Sequence, residues 1–108
     1  MATPIKIRNL VAPAGGSLIV SGPANIKWVV VLNSTAATCF VQLFNAISGI
    51  TLGTTTPDLE IEVGAGLMVS IPFPVDGCAF EVGISAASTT AEGGSVASAS
   101  GVEVFLGV

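Results

Sequence analysis

Asp58, Glu60 and Glu62 stand at alternate positions, and no other residues of this chain are better spaced to do chemistry. Alternate residues of a strand share one face, so the three carboxylates form a single row. A glycosidase needs two carboxyl groups facing each other across the sugar, and one row does not supply that. The row reads instead as a charged outer face that discourages edge-to-edge pairing. Calcium takes carboxylate oxygens, but no Asp-x-Asp-x-Asp-Gly loop accompanies these. The chain has no His, which removes Ser-His-Asp and Cys-His arrangements and the commonest general base. Its two cysteines, Cys39 and Cys78, match no zinc pattern and are expected as buried free thiols rather than a bridge. Gly64-Ala65-Gly66 lacks the further glycines, the Lys and the helix of a phosphate loop, so it reads as a turn. Asn33-Ser34-Thr35 matches a glycosylation sequon and reads as a polar turn between strands. We therefore expect no catalysis, no cofactor and no metal.

The elements that must carry these residues are strands. Val, Ile, Thr, Gly and Ser dominate, and no stretch shows a 3.6-residue apolar stripe of helical length. Eight strands are predicted: Ile5–Val11, Leu18–Ser21, Ile26–Leu32, Thr38–Asn45, Leu59–Val63, Leu67–Ile71, Cys78–Ser85 and Gly101–Leu106. In the fifth, Leu59, Ile61 and Val63 point inward against the carboxylate row. Ala46–Pro57 and Ala86–Ser100 read as loops, the second mobile or ordered only by a neighbour. Short strands between Gly/Pro/Ser turns predict an all-β fold: an eight-stranded antiparallel β-sandwich, jelly-roll-like, with a small β-barrel as the alternative. The length suits one domain over residues 1–108, with a short N-terminal arm over residues 1–9 as an option.

Composition narrows the partners. The chain carries three Lys or Arg and seven Asp or Glu among 108 residues, a net charge of −4, while 51% of residues are hydrophobic. A typical soluble domain is about 25% charged. The acidic balance argues against nucleic acid, which wants a basic patch, and against an anionic membrane surface. The longest apolar run, Trp28 to Leu32, is five residues, far short of the ~20 of a membrane helix. The first residues lack the order of a signal peptide, so synthesis in a reducing cytosol is expected.

Ten charges cannot cover such a surface, and large uncovered apolar patches mark interaction sites. Phe40, Gln42 and Phe44 share one strand face, with Cys39, Val41 and Leu43 on the other. A strand apolar on both sides is central in a core or covered by another subunit, so at least one two-sided strand is expected to meet a partner chain. Ile5, Lys6, Ile7 and Arg8 are either an arm reaching for an acidic neighbour or an ordinary edge strand. The candidate interface is therefore Ile5, Lys6, Ile7, Arg8, Phe40, Gln42 and Phe44. Trp28, in the most apolar strand, is expected in the core.

The run Phe40-Val41-Gln42-Leu43-Phe44-Asn45-Ala46 is followed by Leu52-Gly53-Thr54-Thr55-Thr56-Pro57-Asp58-Leu59, by Val63-Gly64-Ala65-Gly66 and by Asp76-Gly77-Cys78-Ala79-Phe80. This series resembles small β-sandwich proteins of tailed-phage virions, and the nearest role is the capsid decoration, or cement, protein. The resemblance spans less than half of the chain, rests on strand ends and turns, and carries no set of functional residues. It implies a virion structural protein on the capsid exterior, assembled in the host cytoplasm, that bridges neighbouring capsomers of the major capsid protein shell. It also implies buried area rather than acid–base chemistry, and it fits a homo-oligomer, dimer or trimer. A fibre or adhesin-type module that binds glycan is the alternative, and it would need Trp28 exposed beside polar groups.

Overall fold

A computed structural model describes residues 4–7, 17–74, 77–96 and 101–108. These residues form ten strands and no helix: β1 (Pro4–Ile7), β2 (Ser17–Val20), β3 (Ala24–Ile26), β4 (Trp28–Asn33), β5 (Cys39–Phe44), β6 (Leu59–Val63), β7 (Met68–Pro72), β8 (Cys78–Phe80), β9 (Ile84–Thr89) and β10 (Val102–Gly107). All pairings are antiparallel. One sheet has the order β1-β10-β4-β7, a second β2-β9-β5-β6, and β3 and β8 form a two-stranded piece. No sheet closes on itself among these residues, so the barrel alternative is set aside.

One rule generates most of the pairing. β1 lies beside β10, β2 beside β9, β3 beside β8, β4 beside β7 and β5 beside β6. The chain is a single long hairpin whose legs run side by side from the bend at residues 45–58 outward. Rolling that ribbon brings β10 against β4 and β9 against β5, which completes the two four-stranded sheets. We call them the β4 sheet and the β5 sheet.

The expected strands Ile26–Leu32 and Cys78–Ser85 are each two strands, which raises eight to ten. The two splits fall at successive levels of the ribbon, one on each leg. On the first leg the change falls at Lys27, whose N–H donates to the Gly107 carbonyl (2.6 Å) and whose carbonyl accepts from the Phe73 N–H (2.9 Å). Ile26 and Val29 are both buried although three positions apart. That spacing breaks the period of two and marks the kink. On the second leg Glu81-Val82-Gly83 separates β8 from β9.

β9 also reaches Thr89, four residues into the segment expected as a loop. Its sequence, ISAAST, is buried at every position, and small side chains let both of its faces be covered closely. Ser85 donates to the Ala46 carbonyl (2.8 Å), which satisfies a hydroxyl that burial would otherwise penalise.

The main core lies between the two sheets. Val29 and Val31 of β4, Val41 and Leu43 of β5, and Val104 and Leu106 of β10 are fully buried there with Ile26, Phe80 and Ile84. Asn33 joins the sheets at one end. Its Nδ2 donates toward the carbonyls of Ala37 (2.9 Å), Val63 (3.0 Å) and Gly64 (3.2 Å), and its Oδ1 accepts from the Thr35 N–H (2.9 Å) and hydroxyl (2.6 Å). The sequon asparagine is thus 2% exposed and fully engaged, a structural fastener rather than a sugar acceptor. Cys39 is buried, Cys78 is half-buried, and both are free thiols.

Candidate functional site

The carboxylate row lies on β6, an edge of the β5 sheet. Glu60 Oε2 accepts from the Gly93 N–H (2.8 Å), and Asp58 Oδ2 accepts from the Asn45 N–H (2.7 Å). Two of the three carboxylates therefore hold down neighbouring loops, and Glu62 is exposed. A polar cleft of ≈ 490 Å³ opens between the Gly53–Pro57 loop and the Glu92–Gly93 turn. A neighbouring recess of ≈ 250 Å³ is lined by Phe40, Glu60, Glu62 and Glu92. Glu92 was missed in the sequence because it sits alone in a Ser/Thr/Ala/Gly-rich segment. Only its return across β6 brings it to the other glutamates. No cluster among the described residues groups three His, Cys, Asp or Glu side chains suitably for a metal ion.

The outer face of the β5 sheet is covered by the chain's own segments. Phe44, Ile50, Leu52 and Ala87 form a second buried cluster there, with Ala46 packed against it. Gln42 Nε2 donates to Thr89 Oγ1 (2.9 Å) and to the Gly94 carbonyl (3.1 Å). The covering segments are fastened by their own bonds. Thr54 and Thr55 N–H groups donate to the Thr51 carbonyl (3.0 and 2.8 Å), and the Thr90 N–H donates to the Val96 carbonyl (3.0 Å). Gln42 and Phe44 are 0% exposed, so both leave the candidate interface, and Phe40 remains half-buried at its margin. The two-sided apolar pattern of β5 did require a cover, and the chain supplies it from residues 46–57 and 90–96. The first of these segments was expected as a loop; the second lies within the loop expected to be mobile or ordered only by a neighbour.

The outer face of the β4 sheet is different. β4 turns Val29, Val31 and Asn33 inward and leaves Trp28, Val30 and Leu32 half-buried on the outside. Phe105 stands opposite Val30, and Met68 stands opposite Leu32. Met68 and the preceding Leu67 are each 60% exposed. Trp28 is therefore not a core residue. It stands opposite Gly107 on one side and Pro72 on the other. A Cβ at Gly107 would collide with the indole ring, so only glycine lets the indole lie flat there. No second buried cluster lies on this face among the described residues.

Residues 4–7 form β1, paired with β10 inside the chain's own sheet, the edge-strand alternative for that stretch. Ile5 and Ile7 stand opposite the core residues Leu106 and Val104, and Lys6 stands opposite Phe105. Arg8 lies outside the described residues, as does the rest of the expected Ile5–Val11 strand.

Among the described residues, β7 forms the far edge of the β4 sheet. It carries no charge, in contrast to β6 at the edge of the other sheet. An uncharged, exposed edge is a template for pairing. The outer face of the β4 sheet thus has Trp28, Val30, Leu32 and Phe105 at its centre, Glu103 opposite Leu32, and the exposed Leu67 and Met68 at its β7 margin. No family model matches this chain, and neither a curated protein nor a solved structure does.

Proposed function

We propose that this protein is a virion structural protein that decorates a tailed-phage capsid and stabilises it by bridging neighbouring capsomers, without catalysis. The finer topology proposed is a jelly-roll sandwich. The nested pairing of β1 to β10 and the two sheet orders fit a double Greek key with a short extra pair at the corner. The observation that carries the functional reading is the asymmetry of the outer faces. One is sealed by the chain's own loops, and the other presents Trp28, Val30, Leu32 and Phe105 beside the exposed Leu67 and Met68. Such a face suits contact through shape and apolar area on a capsid exterior, and the net charge of −4 does not suit nucleic acid.

Size supports binding in number rather than one by one. Four strands and six residues give a face of about 400 Å² from standard strand spacings. A standard interface takes about 800 Å² from each partner, so a single contact is weak and an array of sites gains by multivalency. Cosedimentation tests this, using purified shells of the encoding phage and shell protein dissociated from the same particles. Saturable binding to shells with little binding to dissociated subunits is expected. No binding to shells overturns the reading, and equal binding to both overturns the bridging mechanism.

Glycan recognition is the second reading, favoured by one observation: Trp28 lies on an outer face rather than in the core. Its cross-strand neighbours, Gly107 and Pro72, offer no side-chain hydrogen-bonding group to a sugar. Saturable quenching of Trp28 fluorescence by a soluble oligosaccharide panel would favour this reading over decoration.

A further inference from the structure

We propose that β7 pairs antiparallel with β7 of a second copy about a two-fold axis at Ser70, joining two four-stranded sheets into one of eight. The hydrogen-bonding parity of β7 decides the register. Its flanking residues turn toward β4: the Leu67 carbonyl accepts from the Asn33 N–H (2.9 Å), and the Phe73 N–H donates to the Lys27 carbonyl (2.9 Å). Backbone groups alternate in direction along a strand, so Met68, Ser70 and Pro72 direct theirs away from the sheet. Proline has no N–H to offer, and Pro72 stands at a position whose donor would face solvent.

With Ser70 on the two-fold, the two Ser70 residues exchange N–H and carbonyl. Each Met68 N–H donates to the Pro72 carbonyl of the second copy. Only the Met68 carbonyls are left to water. The missing donor of Pro72 thus costs least in this register.

Two observations favour a second copy as the occupant. The strand Met68-Val69-Ser70-Ile71-Pro72 has no charge, so it neither repels itself nor selects a charged partner. β6 carries Glu60 and Glu62 and would repel its own copy. The area sets the strength. Five residues at strand rise give about 17 Å of edge, and the shortest dimension of the protein is 19 Å. Their product is about 320 Å² per copy, or about 650 Å² over both copies, below the roughly 1,000 Å² of a stable interface. The pair is therefore reversible in dilute solution and forms where copies are concentrated.

Pairing also extends the outer face. Leu32 and Met68 of one copy would line up with Pro72, Trp28 and Gly107 of the other. The joined face would reach about 800 Å², the share one partner contributes to a standard interface. That consequence rests on the decoration reading, whereas the pairing itself does not.

Ser70→Cys and Leu18→Cys are compared in a Cys78→Ser background, using the full chain and a short bismaleimide. Leu18 is 53% exposed on β2, an edge of the other sheet. Ser70→Cys is expected to give a covalent dimer at least about tenfold faster, as a held pair raises the local thiol concentration. Equal rates overturn the proposal. Sedimentation velocity over rising concentration is the second measurement. A monomer–dimer equilibrium that Ser70→Lys abolishes is expected, and a chain that stays monomeric, or dimerises with Ser70→Lys unchanged, overturns it. Shell cosedimentation is scored separately, so a monomer that still binds shells removes this pairing and leaves decoration standing.

Discussion

The two outer faces of this protein begin from similar sequence patterns and end differently. β4 and β5 are both apolar on alternate and intervening positions. Above β5, Phe44 is covered by Ile50 and Leu52 and sealed at 0% exposure. Above β4, Trp28, Val30 and Leu32 remain half-buried beneath no second cluster among the described residues. The lesson is that a two-sided apolar strand demands a cover without saying whose. The bend of the long hairpin lies at residues 45–58, next to β5 and β6. The same loop that reverses the chain therefore folds back over the β5 sheet, whereas β4 sits mid-leg, with no such bend at hand.

The comparison breaks first at Phe44. Phe44→Ala is expected to cost about 3–5 kcal/mol, since a fully buried aromatic leaves a cavity as well as losing its transfer energy. Urea unfolding would measure it, and a loss no larger than that of Trp28→Ala would mean the faces are equally closed. Trp28→Ala itself is expected to cost about 1–2 kcal/mol, in keeping with partial burial. Between them stands Asn33→Ala, which leaves the buried Val63 carbonyl without its amide donor and removes one from the part-buried Gly64 carbonyl, and should cost about 2–3 kcal/mol.

A smaller effect tests the clasp on the sealed side. Glu60→Ala removes the acceptor of the Gly93 N–H and should cost about 1 kcal/mol. Hydrogen exchange of Gly93 and its neighbours should quicken while the β4 sheet stays protected. Uniform protection would show that the turn needs no clasp. The smallest stability effect belongs to Met68→Lys. At an exposed position it should change stability by no more than about 0.5 kcal/mol, yet it should abolish shell cosedimentation. Undiminished binding would move the contact surface off the β4 sheet.

Much of the fold was legible in the sequence, and the failures have physical causes. Leu59–Val63 alternates cleanly because an edge strand has one buried and one solvated face, and its boundaries match the structure. β9 was hidden because Ala86, Ala87 and Ser88, buried on both faces, carry neither alternation nor bulk. Lys27 read as one polar residue in an apolar strand, whereas it marks the passage between sheets. The carboxylate row was visible as a row. Its hold on Gly93 and the approach of Glu92 were not, since both depend on a turn some 30 positions away. The uncovered apolar face was half legible: two-sidedness applies to β4 and β5 alike, and only the path of the 45–58 bend separates them.

The nested pairing has a consequence for how the chain is made. Each strand of the first leg waits for a partner on the second, and β1 and β4 both wait for β10. As synthesis proceeds from the N-terminus at about 5–20 residues per second, β1 to β5 emerge before any of their hairpin partners exists. Their apolar faces stand bare during that interval. The pairs grow more distant in sequence from β5–β6 outward to β1–β10, and non-local pairing of this kind goes with folding in the millisecond-to-second range. β10, the last strand made, completes two alignments at once, so a ribosome that stalls before Val102 holds a chain unable to close its β4 sheet.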